Sequence, residues 1–357
     1  MRRLGGPRVA PATNVNNAAL DLALAAAVAV VIAGGGARGV AAAITTPVIA
    51  LNNLLLAQGQ PIAAGPHIGL AVMTSGYAYA WGAAGTYASG YGATTYSPWL
   101  SSTTSSSASP PFRIGPNGFS GGRTVLSVAT AFSGSFSQPS RGDALPTSPA
   151  ATTLFLLSDG SIVPLGACTY GQCGNGDTAT QTTPASATPA TPVVNNASDA
   201  TRGVVQMALG HTHTCFVLAT GEARCSGVAD GGELGMYLQV SSGGGVTAPL
   251  PAPIPLDDVT ASLAAPYNAW PLNVVQAAAG DSFTCLLLNT GNVTCFGVNG
   301  AAQVADTTSV TNHWGPDSVV ELPSRLPALQ ICAGFDFACA LLVNGSAACW
   351  GKNDRSQ

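Results

Sequence analysis

The sequence predicts an all-β protein built from repeated units of one strand followed by one β-hairpin. Charged residues make up only 8% of the 357 residues, against about 25% in typical soluble domains. Glycine and proline contribute 43 and 25 residues, which disfavours a protein of long helices. A fixed spacing of glycine and cysteine also recurs along the chain, and such recurrence is typical of repeat architectures.

Three segments share this spacing most clearly. They begin at Gly210, Gly280 and Gly334 and read GHTHTCFVLATGEARCSG, GDSFTCLLLNTGNVTCFG and GFDFACALLVNGSAACWG. In each, cysteines stand five and fifteen positions after the first glycine, and further glycines stand eleven and seventeen positions after it. Two copies lack the cysteines: GPHIGLAVMTSGYAYAWG from Gly65, and TTLFLLSDGSIVPLG, which ends at Gly166. The predicted hairpins lie near residues 65–82, 149–166, 210–227, 280–297 and 334–351.

Each hairpin follows a short apolar strand, such as VVQMALG from Val204 or VVQAAAG from Val274. Within the hairpin, a β-rich run such as Cys285–Leu288 meets Asn-Thr-Gly and resumes over Asn292–Phe296. Glycine at the turn supplies the positive φ that other residues rarely adopt. Each copy is therefore predicted to form a strand, a turn and a β-hairpin.

The hairpins also predict how the nine cysteines pair. Cys285 and Cys295 are equidistant from a turn on paired strands, where Cβ atoms about 4.5–5.5 Å apart permit a disulfide with modest adjustment. Cys168 and Cys173 bracket a four-residue turn. Cys332 is left over on an inner strand, where we expect a buried small hydrophobe. The predicted disulfides are Cys215–Cys225, Cys285–Cys295, Cys339–Cys349 and Cys168–Cys173. Such pairs favour an oxidising compartment, so we expect an extracellular or cell-surface location.

The hairpins and the strings that follow them resemble a known repeat. The strings CWGKNDRSQ from Cys349, SGVADGGELG from Ser226, FGVNGAAQ from Phe296 and LGACTYGQCG from Leu165 resemble the W-G-x-N-x-x-G-Q-L-G signature of the regulator of chromosome condensation repeat. The hairpins resemble its A-G-x-x-H-x-x-A-L-x-x-x-G half. This resemblance implies a β-propeller of seven four-stranded blades, a fold shared by a nucleotide-exchange factor, a secreted enzyme inhibitor and adhesion or scaffold modules. The cysteine-bearing variant resembles copies in secreted proteins.

The resemblance covers about residues 55–357, which are therefore expected to hold the propeller repeats. Residues 1–54 are expected to form a degenerate blade or a segment that closes the ring, and the alternative is that the chain is a piece of a longer protein. Long loop insertions rich in Ser, Thr, Pro and Gly are expected at 97–122 and 132–150. The Ser/Thr/Pro-rich tracts at 101–111 and 178–192 are predicted to be exposed loops.

A glycine-rich segment near the start of the chain has the spacing of a dinucleotide-binding loop. Residues 34–39 contain G-x-G-x-x-G after an apolar strand, but that fingerprint also needs an acidic residue about 20 residues on. The region offers Asn52 and Asn53 instead, and Pro47 cuts the helix short. A secretory signal over residues 18–33 is another interpretation. We expect an Ala/Gly-rich strand and turn, and no cofactor.

No catalytic or metal site is predicted. Residues 118–122 contain G-x-S-x-G, but no helix follows, and the repeat places none of the four histidines beside Ser120. His211, His213 and Cys215 alternate along one strand and share a face, as metal ligands do. Cys215 already has a predicted disulfide partner, so we expect no metal there and a protein that is not an enzyme.

Charge is distributed unevenly along the chain. Residues 1–142 carry seven Arg and one Asp, whereas residues 143–357 carry five basic and 15 acidic residues. The dispersed arginines form no basic patch of the kind that binds nucleic acid. Opposite charge in the two halves favours a head-to-tail contact between copies. No run of about 20 apolar residues is present to span a bilayer.

Three sequons and one tripeptide complete the sequence evidence. Asn196, Asn292 and Asn344 head N-x-S/T sequons, and the last two fall at hairpin turns, so we expect N-linked glycans there. The residues Arg141, Gly142 and Asp143 spell an integrin-type adhesion tripeptide in a proline-flanked loop.

Together these features predict a non-enzymatic extracellular structural or adhesive glycoprotein subunit. Its expected partners are copies of itself or another extracellular protein, bound through the propeller faces. The alternative is a soluble protein-binding propeller module, similar to an inhibitor or an exchange factor.

Overall fold

A computed structural model describes residues 62–65, 68–83, 86–87, 94–95, 108–114, 123–133, 150–158, 160–166, 168–178, 203–237, 247–262, 272–306 and 311–354. In these ranges the chain forms five antiparallel sheets, which we call blades 1 to 5 in chain order, and one two-stranded ribbon. The all-β prediction is confirmed.

The strands follow one another in a regular order. Blade 1 contains β1 (Ile62–Gly65), β2 (Ile68–Val72), β3 (Ala78–Ala83) and β6 (Ala108–Ile114), and the ribbon contains β4 (Thr86–Tyr87) and β5 (Thr94–Thr95). Blade 2 contains β7 (Val125–Ser133), β8 (Ala150–Leu157) and β9 (Ile162–Gly166). Blade 3 contains β10 (Val204–Leu209), β11 (His213–Leu218), β12 (Ala223–Val228) and β13 (Thr247–Pro253), and is followed by helix α1 (Asp257–Ser262). Blade 4 contains β14 (Val274–Ala279), β15 (Phe283–Leu288), β16 (Val293–Val298) and β17 (Asn312–His313). After a short 3₁₀ turn at Pro323–Arg325, blade 5 contains β18 (Ala328–Ala333), β19 (Phe337–Leu342) and β20 (Ala347–Gly351).

Each predicted hairpin contains a pair of these strands. The turn glycines Gly221, Gly291 and Gly345 have φ of 83°, 81° and 83°, a conformation that a Cβ would strain. The hairpin register places Cys285 opposite Cys295, and the equivalent cysteines of blades 3 and 5 are paired in the same way.

The first strands of the five blades surround one channel. Residues from β1, β7, β10, β14 and β18 line a single cavity of about 280 Å³. The strand that opens each repeat is therefore the innermost strand of its blade, as expected for a propeller.

The core lies between the blades. One apolar cluster joins each neighbouring pair, from blades 1 and 2 to blades 4 and 5. Side chains alternate between the two faces of a strand, so Met207 of β10 packs on blade 2 and the adjacent Ala208 packs towards blade 4. Every blade between two others is consequently buried on both faces.

A glutamine joins successive inner strands. Gln206 accepts a hydrogen bond from the backbone N–H of Ala277 at 2.9 Å and donates one to its carbonyl at 3.0 Å. Gln276 makes the same two bonds to Ile331, at 2.8 and 2.9 Å. Both glutamine side chains are buried, and each satisfies backbone groups that would otherwise lack partners between the blades.

Two expectations from the sequence are wrong. Part of the loop insertion expected at 97–122, including the end of the tract 101–111, is strand β6, which pairs with β3. The pairing of β3 with β6 shifts register between Ala80 and Gly82, and β6 lies at the edge of the sheet. Both features accommodate Pro110 and Pro111, because proline has no N–H to donate to a neighbouring strand. Cys332 is exposed rather than buried, because no described blade packs on the outer face of blade 5.

Candidate functional site

The mouth of the channel is a concave site lined by described residues of all five blades. It is a cavity of about 440 Å³ at the ends of the inner strands, next to the first glycine of each cysteine-bearing repeat. We call this site the channel mouth; its lining residues are Ala64, Ala131, Leu209, Gly210, His211, Ala279, Gly280, Asp281, Ala333, Gly334 and Phe335.

Neighbouring turns contact one another around the channel mouth. The backbone N–H of Asp281 donates to the carbonyl of Phe335 at 2.9 Å. A Cβ on Gly210 would lie 2.6 Å from the carbonyl oxygen of Gly280, and one on Gly280 would lie 2.7 Å from that of Gly334. Glycine is thus required here because the backbones of adjacent blades approach so closely.

The walls of the channel mouth are mostly apolar and contain one contact between a histidine and an aspartate. Nδ1 of His211 lies 2.8 Å from Oδ1 of Asp281, and these side chains are 17% and 20% exposed. The hydroxyl of Ser282 donates to Oδ2 of Asp281 at 3.0 Å, so the carboxylate, and not the imidazole, holds this serine. Phe335 is 42% exposed. The channel mouth therefore presents one exposed aromatic ring beside a histidine–aspartate pair.

Below the channel mouth, a buried polar chain connects blades 3 and 4. Nε2 of His213 lies 2.8 Å from Oγ1 of Thr284, whose hydroxyl donates to the backbone carbonyl of Glu233 at 3.0 Å. Because that hydroxyl donates its only proton to the carbonyl, Nε2 of His213 must donate the hydrogen bond to Oγ1 of Thr284. Burial lowers the pKa of His213 to about 4, so the imidazole is neutral.

Glu233 occupies a position that is glutamine in two other blades. Its side chain accepts the backbone N–H of Gly231 at 2.8 Å, as Gln172 accepts that of Tyr170 and Gln303 that of Ala301. Burial raises the pKa of Glu233 to about 7, and Asp230 and Asp281 act in the same direction. Sequence reasoning missed this residue, although GGELG in place of the G-Q-L-G signature was a signal that could have revealed it.

An acidic rim lies beside the junction of blades 3 and 4. The hydroxyl of Tyr237 donates to Oδ2 of Asp258 at 2.7 Å, and burial raises the pKa of Tyr237. Nε2 of His313 lies 3.0 Å from Oδ2 of Asp306, and its Nδ1 lies 3.5 Å from Oδ2 of Asp317. Asp258 and Asp317 are exposed, so this surface carries negative charge that a basic partner would complement.

The predicted disulfide residues come together in four pairs. Cα–Cα distances are 5.2 Å for Cys168–Cys173, 4.1 Å for Cys215–Cys225 and Cys285–Cys295, and 4.0 Å for Cys339–Cys349. The cysteine pairs of blades 3 and 4 are buried against the blade that follows.

The two described sequon asparagines differ in their surroundings. Asn344 is exposed, and its Oδ1 accepts the backbone N–H and the hydroxyl of Ser346 at 3.0 and 2.6 Å. Asn292 is half-buried and donates its amide to Oγ1 of Thr290 at 2.9 Å. The sequon residue Thr294 is buried.

The remaining sequence-predicted features lie outside the described residues. These are Asn196, the tripeptide Arg141–Asp143, and the glycine-containing motifs at 34–39 and 118–122. Among the residues that are described, no three His, Cys, Asp or Glu side chains group closely enough to hold a metal ion. None of the helices in those ranges has the length and apolar character needed to cross a bilayer.

Comparisons with known proteins identify the repeat. Residues 274–303 and 329–357 match one profile of the Regulator of chromosome condensation (RCC1) repeat, and residues 159–217 match a second profile with the same description. No curated protein sequence shows significant similarity to the chain.

Solved structures share the fold at low sequence identity. Human WBSCR16 is 19% identical with a TM-score of 0.56, over 82% of this chain and 62% of that one. Yeast RCC1 (Prp20), solved with Kap60, is 17% identical with a TM-score of 0.54, over 82% and 56%. Prp20p from Saccharomyces cerevisiae, solved separately, is 18% identical with a TM-score of 0.53, over 81% and 57%. The matches thus span 56% to 62% of the length of these structures. The chain therefore has the fold of a β-propeller, residues 159–217, 274–303 and 329–357 match the regulator of chromosome condensation repeat, and three of its hairpins carry cysteine pairs.

Proposed function

We propose that this protein is a non-enzymatic, extracellular protein-binding propeller that holds a protein partner at the channel mouth. The observation that carries this proposal is the exposed ring of Phe335 beside a cavity walled mainly by alanine and glycine. A large, exposed apolar side chain that lines a concave patch is the kind of residue that dominates protein interfaces. Histidine and aspartate at the same mouth add polar groups that can fix the partner's orientation.

Relatives with this fold support a protein as the partner. The solved yeast structures are described as Prp20 bound to Kap60, and as Prp20p with binding properties to Gsp1p and histones. All of these partners are proteins. At 17% sequence identity the similarity shows a shared fold and no more. The partner of this chain therefore has to be inferred from its own surface.

The extracellular part of the proposal rests on the cysteines. Eight of the nine cysteines are close enough to form short-range disulfides, and such bonds persist in oxidising environments. We further propose that the protein is a structural or adhesive subunit and that its partner is a second copy. The split between a basic first part and an acidic second part supports such a head-to-tail contact.

Self-association can be tested by analytical ultracentrifugation of the purified chain. Phe335→Asp places a charge at the channel mouth, and we expect it to shift the wild-type oligomer to monomer. Met73→Asp is the matched control, because Met73 is also large, apolar and exposed (50%) but lies at a hairpin turn outside the channel mouth. A wild type that stays monomeric at high concentration would exclude the second copy as partner and leave the alternative, a soluble module that binds a different protein.

Glycosylation is expected to favour Asn344 over Asn292. Asn344 is exposed and the hydrogen bonds described for its side chain are made by its oxygen, whereas Asn292 is half-buried and its nitrogen donates to Thr290. Mass spectrometry of the protein secreted from a glycosylating host should find glycan on Asn344 and little on Asn292. An unmodified Asn344 would contradict the glycoprotein proposal.

The adhesive role also rests on the tripeptide Arg141–Asp143. Cells that carry integrins should attach to surfaces coated with the wild-type chain. Asp143→Glu keeps the charge but lengthens the side chain, and we expect it to abolish attachment. Equal attachment to both proteins would show that this tripeptide does not mediate adhesion.

A further inference from the structure

Three cysteines lie on one line across blade 5. The strand register places Cys332 of β18 opposite Cys339 of β19, and Cys339 opposite Cys349 of β20. Cys339 and Cys349 form a disulfide, whereas Cys332 is free. Side chains opposite one another on neighbouring strands point to the same face of the sheet, so the free thiol and the disulfide share a face.

Blade 5 differs from the other cysteine-bearing blades at one position. The inner-strand residue opposite the central cysteine is Ala208 in blade 3 and Ala278 in blade 4. These alanines are 7% and 8% exposed and pack towards the following blade. The equivalent residue of blade 5 is Cys332, and it is exposed.

We propose that Cys332, Cys339 and Cys349 form a thiol–disulfide exchange site. In the strand register, Cys332 and Cys349 lie on opposite sides of Cys339, so a nucleophile and a leaving group flank the central cysteine. Neighbouring strands bring opposed Cβ atoms to about 4.5–5.5 Å, close to the separation in a disulfide.

The exchange step is balanced within the three residues. The thiolate of Cys332 attacks Sγ of Cys339, and a bond forms between these sulfurs. The bond from Cys339 to Cys349 breaks, and its electron pair leaves on Sγ of Cys349, which takes up a proton from water. One thiol and one disulfide are present before and after, so the step needs no oxidant or reductant.

The exchange moves a reactive thiol from the inner strand to β20. Cys349 is exposed. Exposure favours the thiolate, which is the reacting form. The step therefore transfers the thiol from Cys332 to the exposed Cys349.

The test is disulfide mapping of the purified full chain. The protein is incubated at pH 8 without reductant, quenched in acid, alkylated and digested. We expect two isomers whose ratio lies within about tenfold of one, because the two cross-strand disulfides are chemically alike. One isomer carries the alkyl group on Cys332, and the other carries it on Cys349 with Cys332 bonded to Cys339. Alkylation at Cys332 alone would overturn the proposal.

Two cysteine variants report the exchange separately. In Cys349→Ser we expect a disulfide between Cys332 and Cys339 and no free thiol. Free thiols at both positions in that variant would contradict the proposal. In Cys332→Ser we expect the Cys339–Cys349 disulfide alone, with no alkylation at Cys349. The rate in the wild type should not change with protein concentration, and a proportional increase would show exchange between molecules instead.

Ala278→Cys, made in the Cys332→Ser background, is the matched control. It places a thiol opposite Cys285 in the same register, but beneath blade 5. We expect the Cys285–Cys295 disulfide to persist, with the new thiol unexchanged over the same period. Exchange there as fast as at Cys332 would show that exposure does not distinguish blade 5.

Discussion

Glu233 shows how one atom changed in a repeated motif alters the chemistry of a blade. An amide in this position, as in Gln172 and Gln303, is neutral at every pH. A carboxyl group that ionises here must instead carry its negative charge in a buried place, which is unfavourable. The raised pKa, about 7, means that the folded protein holds a proton that the unfolded chain releases near pH 4.5. Stability must therefore fall as pH rises from about 4.5 to 7.

We predict that Glu233→Gln removes this loss. The variant should be more stable than the wild type at pH 8, by about 3 kcal/mol if the full pKa difference is realised, and nearly equal to it at pH 4.5. Urea unfolding at the two pH values measures the difference. Gln303→Glu is the matched variant, and it should acquire the same pH dependence. Equal pH dependence in wild type and Glu233→Gln would contradict the assignment.

His213 has the opposite effect, because it makes the free energy of unfolding fall as the pH becomes acidic. Its pKa is lowered from 6.5 to about 4 by burial, so the unfolded chain takes up a proton between these values while the folded protein does not. Stability is complete above pH 6.5 and is lost as pH falls towards 4.

We predict that His213→Phe removes this acid-side loss, which amounts to about 3 kcal/mol at pH 4. Phenylalanine occupies the equivalent position in blade 4, where Phe283 is fully buried, so the replacement is compatible with the packing. Thr284 keeps its bond to the carbonyl of Glu233. Unfolding midpoints at pH 4.5 and 7.5 check the prediction. A variant that loses as much stability as the wild type between these pH values would contradict it.

At the scale of the element, the inner strands are held together by glutamine side chains rather than by strand pairing. Gln206 and Gln276 each bridge to the backbone of the next inner strand, whereas Gln330, at the same place in blade 5, is exposed. The same residue type thus stands in two environments, and this contrast provides an internal control.

We predict that Gln276→Ala costs about 2–4 kcal/mol, because it leaves the N–H and carbonyl of Ile331 without partners between two blades. Gln330→Ala should cost less than about 0.5 kcal/mol, as is usual for exposed positions. Denaturant unfolding of both variants measures the difference. Similar costs at the two sites would show that the bridges do not join the blades.

The hairpins could be predicted from the sequence because their determinants are local. A turn glycine and the cysteines equidistant from it fix the register without reference to the rest of the chain. Strand β6 could not be predicted in this way, because its residues include two prolines and its pairing with β3 depends on a distant part of the chain. The exposure of Cys332 was also missed, since it depends on which blade packs on the following face.

At the scale of the whole molecule, the low charge of the chain follows from its architecture. Apolar clusters lie between all successive described blades, and so most strand positions face another blade and not solvent. The first glycine of each repeat could be identified from the sequence. The sequence did not reveal that Gly210, Gly280 and Gly334 lie together at one channel mouth. Their proximity arises from the arrangement of the blades around the channel, which the spacing of residues within one repeat does not specify.

We propose that this propeller binds protein partners in an oxidising, extracellular setting. Thiol titration in denaturant, on protein isolated from its natural source without reductant, tests the basis of this claim most directly. We predict one free thiol per chain, whichever of Cys332 and Cys349 carries it, because eight of the nine cysteines are paired. Nine free thiols per chain would contradict it.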